Sequence, residues 1–130
     1  MKLIILATAV LLSMTCIAQR TGSFYPVVVA FHSKCCGVPD NKPVIDYVKA
    51  FKKKYHIKTI SYDRVGPLGR EGEYDMCFTL KEISKKRSKL FISGLKKITP
   101  KMIDKGMAEV EENKSRSDFP GRVQATKENI

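Results

Sequence analysis

Cys35 and Cys36 stand side by side, His32 precedes them by three positions, and Cys77 lies farther along the chain. Thiols and an imidazole in this arrangement suit three kinds of chemistry. A structural disulfide would join Cys35 or Cys36 to Cys77, and closing a loop of that length contributes about 3–4 kcal/mol. A thiol–disulfide site would use Cys36 as the nucleophile, with Cys35 or Cys77 as its resolver. A metal site would draw on His32, Cys35, Cys36 and Cys77, soft ligands that suit zinc or copper(I). Adjacent cysteines close a tetrahedral site awkwardly and the Cys-x-x-Cys spacing is missing, so no cofactor is assigned. The three readings stay open at the level of sequence.

The first residues predict an address rather than a part of the fold. Lys2 is followed by an apolar stretch from Leu3 to Leu12, and Cys16 and Ala18 are small residues at −3 and −1 of a cut before Gln19. That is the pattern of a secretory signal peptide. Lipidation of Cys16 is the minor alternative. Cleavage would leave 112 of the 130 residues, Cys35, Cys36 and Cys77 as the remaining cysteines, and a charge one unit below the +11 of the whole chain. The expected location is periplasmic or secreted, an oxidising setting in which disulfides persist. No apolar run is long enough to span a bilayer, so no transmembrane segment is expected in the mature chain.

The elements that must position the cysteines follow from periodicity. Phe24 to His32 is apolar on both faces and rich in β-branched residues, which predicts a central strand. Asp40 or Asn41 can cap a helix with Pro43 in its first turn, and Val44, Ile45, Val48, Phe51 and Tyr55 form its apolar stripe. His56 then suits a helix C-terminus. Ile57 to Tyr62 reads as a second strand, and residues 64–72, with three glycines and a proline, as a connector. Glu73 to Leu80 alternates as a third strand, with Tyr74, Met76, Phe78 and Leu80 on one face and Asp75, Cys77 and Thr79 on the other. A second helix is expected from Ser84 to Ile98, burying Leu90, Phe91, Leu95 and Ile98. Thr99-Pro100 then predicts the start of a third helix. Residues 114–130 read as a flexible polar tail behind a single domain at 19–113.

The resulting order, β-α-β-β-α-α, predicts an α+β two-layer sandwich. Its three-stranded, mainly antiparallel sheet would carry the helices on one face, like a ferredoxin-like half without its fourth strand. The open sheet edge would be covered by the stretch around Phe119–Ala125 or by a second subunit.

The segment from Val27 through Cys35-Cys36-Gly37-Val38-Pro39 resembles the strand, active-site turn and helix of thioredoxin-fold proteins over residues 27–51. The resemblance implies a truncated thioredoxin-like alternative for the fold. It places Cys36 at the family's attacking cysteine and Pro39 where the resolving cysteine would stand.

Charge is unevenly spread. Residues 42–58 sum to +5 and 81–101 to +7, while 59–80 sum to −2 and 102–112 to −3. Basic side chains on the two helices would share one face, so Lys49, Lys52, Lys53, Lys85, Lys86, Arg87 and Lys89 are candidate anion contacts. Arg64 and Arg70 form a separate candidate surface in the connector. The partner expected is an anionic polymer, a lipid headgroup or an acidic protein. Lysine outnumbers arginine and aromatics do not interleave with the charges, so sequence-specific nucleic-acid binding is not expected. No Gly-rich phosphate loop and no carboxylate pair of catalytic spacing occurs. The expected role is binding rather than catalysis.

Overall fold

A computed structural model describes residues 24–119 and 124–130. The candidate signal peptide, its cut after Ala18 and Cys16 lie outside the described residues. Strand β1 (Phe24–Ser33) is followed by helix α1 (Lys42–Tyr55), strands β2 (Ser61–Gly66) and β3 (Tyr74–Phe78), and helix α2 (Lys85–Ile98). A 3-10 turn at Thr99–Lys101 leads to β4 (Gly106–Ser115), and a second at Arg116–Asp118 precedes β5 (Gln124–Asn129). The five strands form one sheet in the order β4-β1-β3-β2-β5, and every neighbouring pair is antiparallel.

This corrects the three-stranded expectation. The domain is still a small α+β unit, but β4 supplies the fourth strand of a ferredoxin-like split β-α-β arrangement and β5 adds a fifth. Residues expected to begin a third helix turn once and then pair with β1 from Gly106 to Ser115. Ile103, Met107 and Val110 suit a helical stripe, yet Ala108 and Val110 also alternate with Glu109 and Glu111. The free edge of the apolar β1 decides between them, because its backbone groups need partners. The stretch read as a tail contributes the end of β4, a buried Phe119 and β5.

Apolar burial explains why β1 is central. Val27, Val29 and Phe31 enter the helix-side core with Val44, Val48 and Phe51 of α1 and Phe91 and Leu95 of α2. Val28 enters a smaller cluster on the opposite face with Tyr25, Val65, Cys77 and Phe119. Each such side chain, fully buried, contributes about 1.5–3 kcal/mol. The alternation changes phase where Pro26 faces Asn113, the latter at φ 58°. Tyr25 and Lys114 consequently lie on the same face as Val28.

Helix ends follow local chemistry. Ser84 accepts from the Arg87 N–H and starts α2, while Asp40 Oδ1 accepts from Lys42 N–H ahead of α1 at 2.9 Å. His56 closes α1 in the left-handed region at φ 52°, its N–H bonded to the Lys52 carbonyl. β2 starts at Ser61, later than expected, and runs into the connector as far as Gly66.

Candidate functional site

The cysteines fall in two unrelated places. Cys77 sits mid-strand in β3 opposite Val28, buried beneath Tyr25 and Phe119. Cys35 and Cys36 are exposed in the turn after β1. Five strand positions separate Val28 from Ser33, roughly 17 Å at about 3.3 Å per residue. A disulfide needs its Cα atoms within about 7 Å. All three thiols are free, and the expected bridge from Cys35 or Cys36 to Cys77 is out of reach. The same separation removes Cys77 as a resolver for Cys36 and as a fourth metal ligand. Among the described residues no group of three or more His, Cys, Asp or Glu is placed to hold a metal ion.

Burial pushes the Cys77 thiol far up, with the neighbouring Asp75 carboxylate adding to the effect. Such a sulfur is a packing atom. The Cys36 thiol is also raised, first by its hydrogen bond with Cys35. Cys36 lies in the turn well ahead of α1, which starts at Lys42, so it lacks the helix-terminus position that lowers thiol pKa values.

Cys77 belongs to a polar layer on the sheet face opposite the helices. Tyr25 donates its hydroxyl to Asp63 Oδ2 at 2.5 Å, and burial with this bond drives the phenol well above its ordinary range. Lys114 Nζ reaches Asp75 at 3.2 Å and Glu111 at 2.7 Å. Burial raises the Asp75 carboxyl more than the Lys114 charge lowers it. Lys114 is desolvated as well, but its two carboxylate partners outweigh this and hold it protonated. Phe119 caps the layer edge-on to Tyr25 with ring centres 6.2 Å apart, and Lys114 Nζ lies 4.6 Å from its ring centre. The strand alternation marks Cys77 and Asp75 as the polar face. The cover that buries them comes from residues far along the chain.

The helices form the other surface. α1 carries five lysines and one aspartate, and α2 carries five lysines and one arginine with no acid. Lys49, Lys53, Lys85, Lys86, Arg87 and Lys89 are all exposed on this side. Lys52 is half-buried and bonds the Ile130 backbone oxygen. Arg64 does not join them: its guanidinium lies 3.5 Å from the Tyr74 ring centre, a packed contact. Arg70 is exposed in the β2–β3 connector, away from the helices.

Between the helices runs a groove of about 300 Å³ lined by Tyr47, Phe51, Tyr55, Leu90, Lys54 and Lys97. Leu90, expected in the core, is 47% exposed here. Its apolar neighbours were readable as stripe residues, but not the fact that the stripes leave a seam open between them. Tyr47 donates to the Phe91 carbonyl at 3.0 Å, and burial pushes its phenol up to about 12.

No family model, curated protein or solved structure matches this chain. No helix among the described residues is long and apolar enough to cross a membrane.

Proposed function

We propose that this protein is an exported, non-catalytic binding protein that docks its α1–α2 face on an anionic lipid surface. The observation that carries the proposal is the apolar and aromatic groove of Tyr47, Tyr55 and Leu90 set between two lysine-rich helices. Lysines placed as point charges suit a diffuse field of headgroup phosphates rather than forked recognition of one phosphate. Each contributes about 1 kcal/mol near such a surface. Exposed Leu90, with half-buried Tyr47 and Tyr55 beside it, adds a component that a polysaccharide or a nucleic acid backbone would not reward. Most acids lie elsewhere: Asp63, Asp75 and Glu111 occupy the opposite sheet face, and on the helical side Asp46 and Glu112 offset only Lys42 and Lys96, leaving that side strongly basic. Export rests on the pattern of residues 1–18.

The test is co-sedimentation with phosphatidylglycerol vesicles and with phosphatidylcholine vesicles over a salt series. Binding to the first alone, weakening with salt, supports the proposal. Retention on heparin without vesicle binding would move the partner to an anionic polysaccharide. Binding to neither at physiological salt would leave the charge a matter of solubility.

A further inference from the structure

The turn after β1 is anchored at one point. The backbone N–H groups of Lys34 and Cys35 both donate to the Lys105 carbonyl, at 3.1 and 3.3 Å. Past this anchor the chain reverses through two consecutive residues at positive φ, Cys36 at 69° and Gly37 at 120°. The left-handed region is unusual for cysteine, and it falls here on one of two adjacent exposed thiols. Both sulfurs are exposed, and Cys77 is buried on the far side of the sheet and out of reach. Among the described residues each exposed thiol therefore has a single intramolecular partner, which is the other.

We infer that Cys35 and Cys36 form a reversible vicinal disulfide when they meet a low-molecular-weight disulfide. The exchange balances in two steps. The thiolate of one cysteine of the pair attacks one sulfur of the external disulfide and forms a mixed disulfide, releasing the first small thiolate. The other cysteine then loses its proton to solvent and attacks the sulfur of the first, forming the Cys35–Cys36 bond and releasing the second. The protein loses two hydrogens and the external disulfide is reduced to two thiols.

A ring spanning one peptide bond encloses almost no chain, so it constrains the unfolded state far less than a long loop does. It is also strained, and strained disulfides are the easily reduced ones. The pair is thus a reversible modification site and not a staple. Closing it would act on the turn that holds Lys105 and hence on the entry to β4.

The full chain is incubated with oxidised glutathione, quenched, alkylated and mapped by mass spectrometry, which keeps Cys16 apart from the pair. The expected product is a monomer lacking two hydrogens, with both losses in the peptide holding Cys35 and Cys36. Cys77→Ala should give the same product. Cys35→Ser and Cys36→Ser should each stop at a glutathione adduct on the remaining cysteine. Persistent adducts on the unaltered chain, or a dimer linked through Cys35 or Cys36, overturn the vicinal bond.

Discussion

The Tyr47 hydroxyl occupies the space into which a side chain on Gly94 would project. That contact sets how closely α1 and α2 approach and forms the floor of the basic groove. Tyr47 also donates to the Phe91 carbonyl one turn earlier in α2, so the phenol is fixed at both its position and its proton. Gly94 weakens α2 as an isolated helix by roughly 1 kcal/mol relative to alanine, yet the packing requires it.

Gly94→Ala should therefore destabilise the fold despite its better helix propensity. Overpacking costs about 1–3 kcal/mol, which exceeds the propensity gain at the upper end. Thermal denaturation should show a lower Tm for Gly94→Ala, and adding Tyr47→Phe should restore little of it, because the ring carbons Cζ and Cε2 would still crowd the new methyl. A Gly94→Ala chain more stable than the parent would mean that Tyr47 moves aside freely.

Thiol accessibility should divide sharply. In the native chain Cys35 and Cys36 should alkylate readily while Cys77 stays unmodified until denaturant is added, as peptide mapping would report. Phe119→Ala should cost about 3 kcal/mol, by analogy with other buried aromatic truncations, and should open Cys77 to alkylation under native conditions. Protection of Cys77 in that variant would show that Phe119 is not its cover.

Asp75 should leave a signature in the pH dependence of stability. Its folded-state pKa is raised, chiefly by burial, so the folded state binds its proton more tightly than the unfolded state does. The resulting contribution is fully present below the ordinary carboxylate range and is lost as pH rises through the elevated value. Compared with Asp75→Asn, the native chain should lose ground as pH rises from about 3.5 to 7. Urea midpoints of the two chains measure this. A native chain that gains on the variant over that range would mean the Lys114 ion pair outweighs burial.

The groove and the charges around it are separable. Leu90→Ser touches an exposed side chain and should change stability by no more than about 0.5 kcal/mol, while weakening binding to anionic vesicles at every salt concentration. Replacing Lys49, Lys53, Lys86 and Lys89 together by glutamine should remove about 4 kcal/mol of surface attraction, close to a thousand-fold in affinity. It should also flatten the salt dependence, which Leu90→Ser should leave intact.

Several elements were legible because their signals are local. The Val44, Val48 and Phe51 stripe and the Ser84 cap depend only on residues within one or two turns, and α1 and α2 lie where those residues place them. The two-sided apolarity of Val27 to Phe31 announces a strand covered on both faces, and the helix-side core and the cluster around Cys77 are those covers. The basic helices were equally readable, because lysines exposed between apolar stripe positions need no tertiary information.

What the chain order could not disclose was decided by pairing and cover. Gln124–Asn129 is polar and without period, and it becomes β5 because the outer edge of β2 offers backbone partners from Ser61 to Gly66. Residues 106–115 fit a weak helical stripe about as well as an alternating strand, and the open edge of β1 selects the strand. Cys77 is patterned for a polar face and is buried because Tyr25 and Phe119, distant in sequence, close over it. That burial also separates it from Cys35 and Cys36. Side-chain spacing along one element is a local property, whereas strand partners, burial and the distance between two sulfurs exist only once remote segments meet.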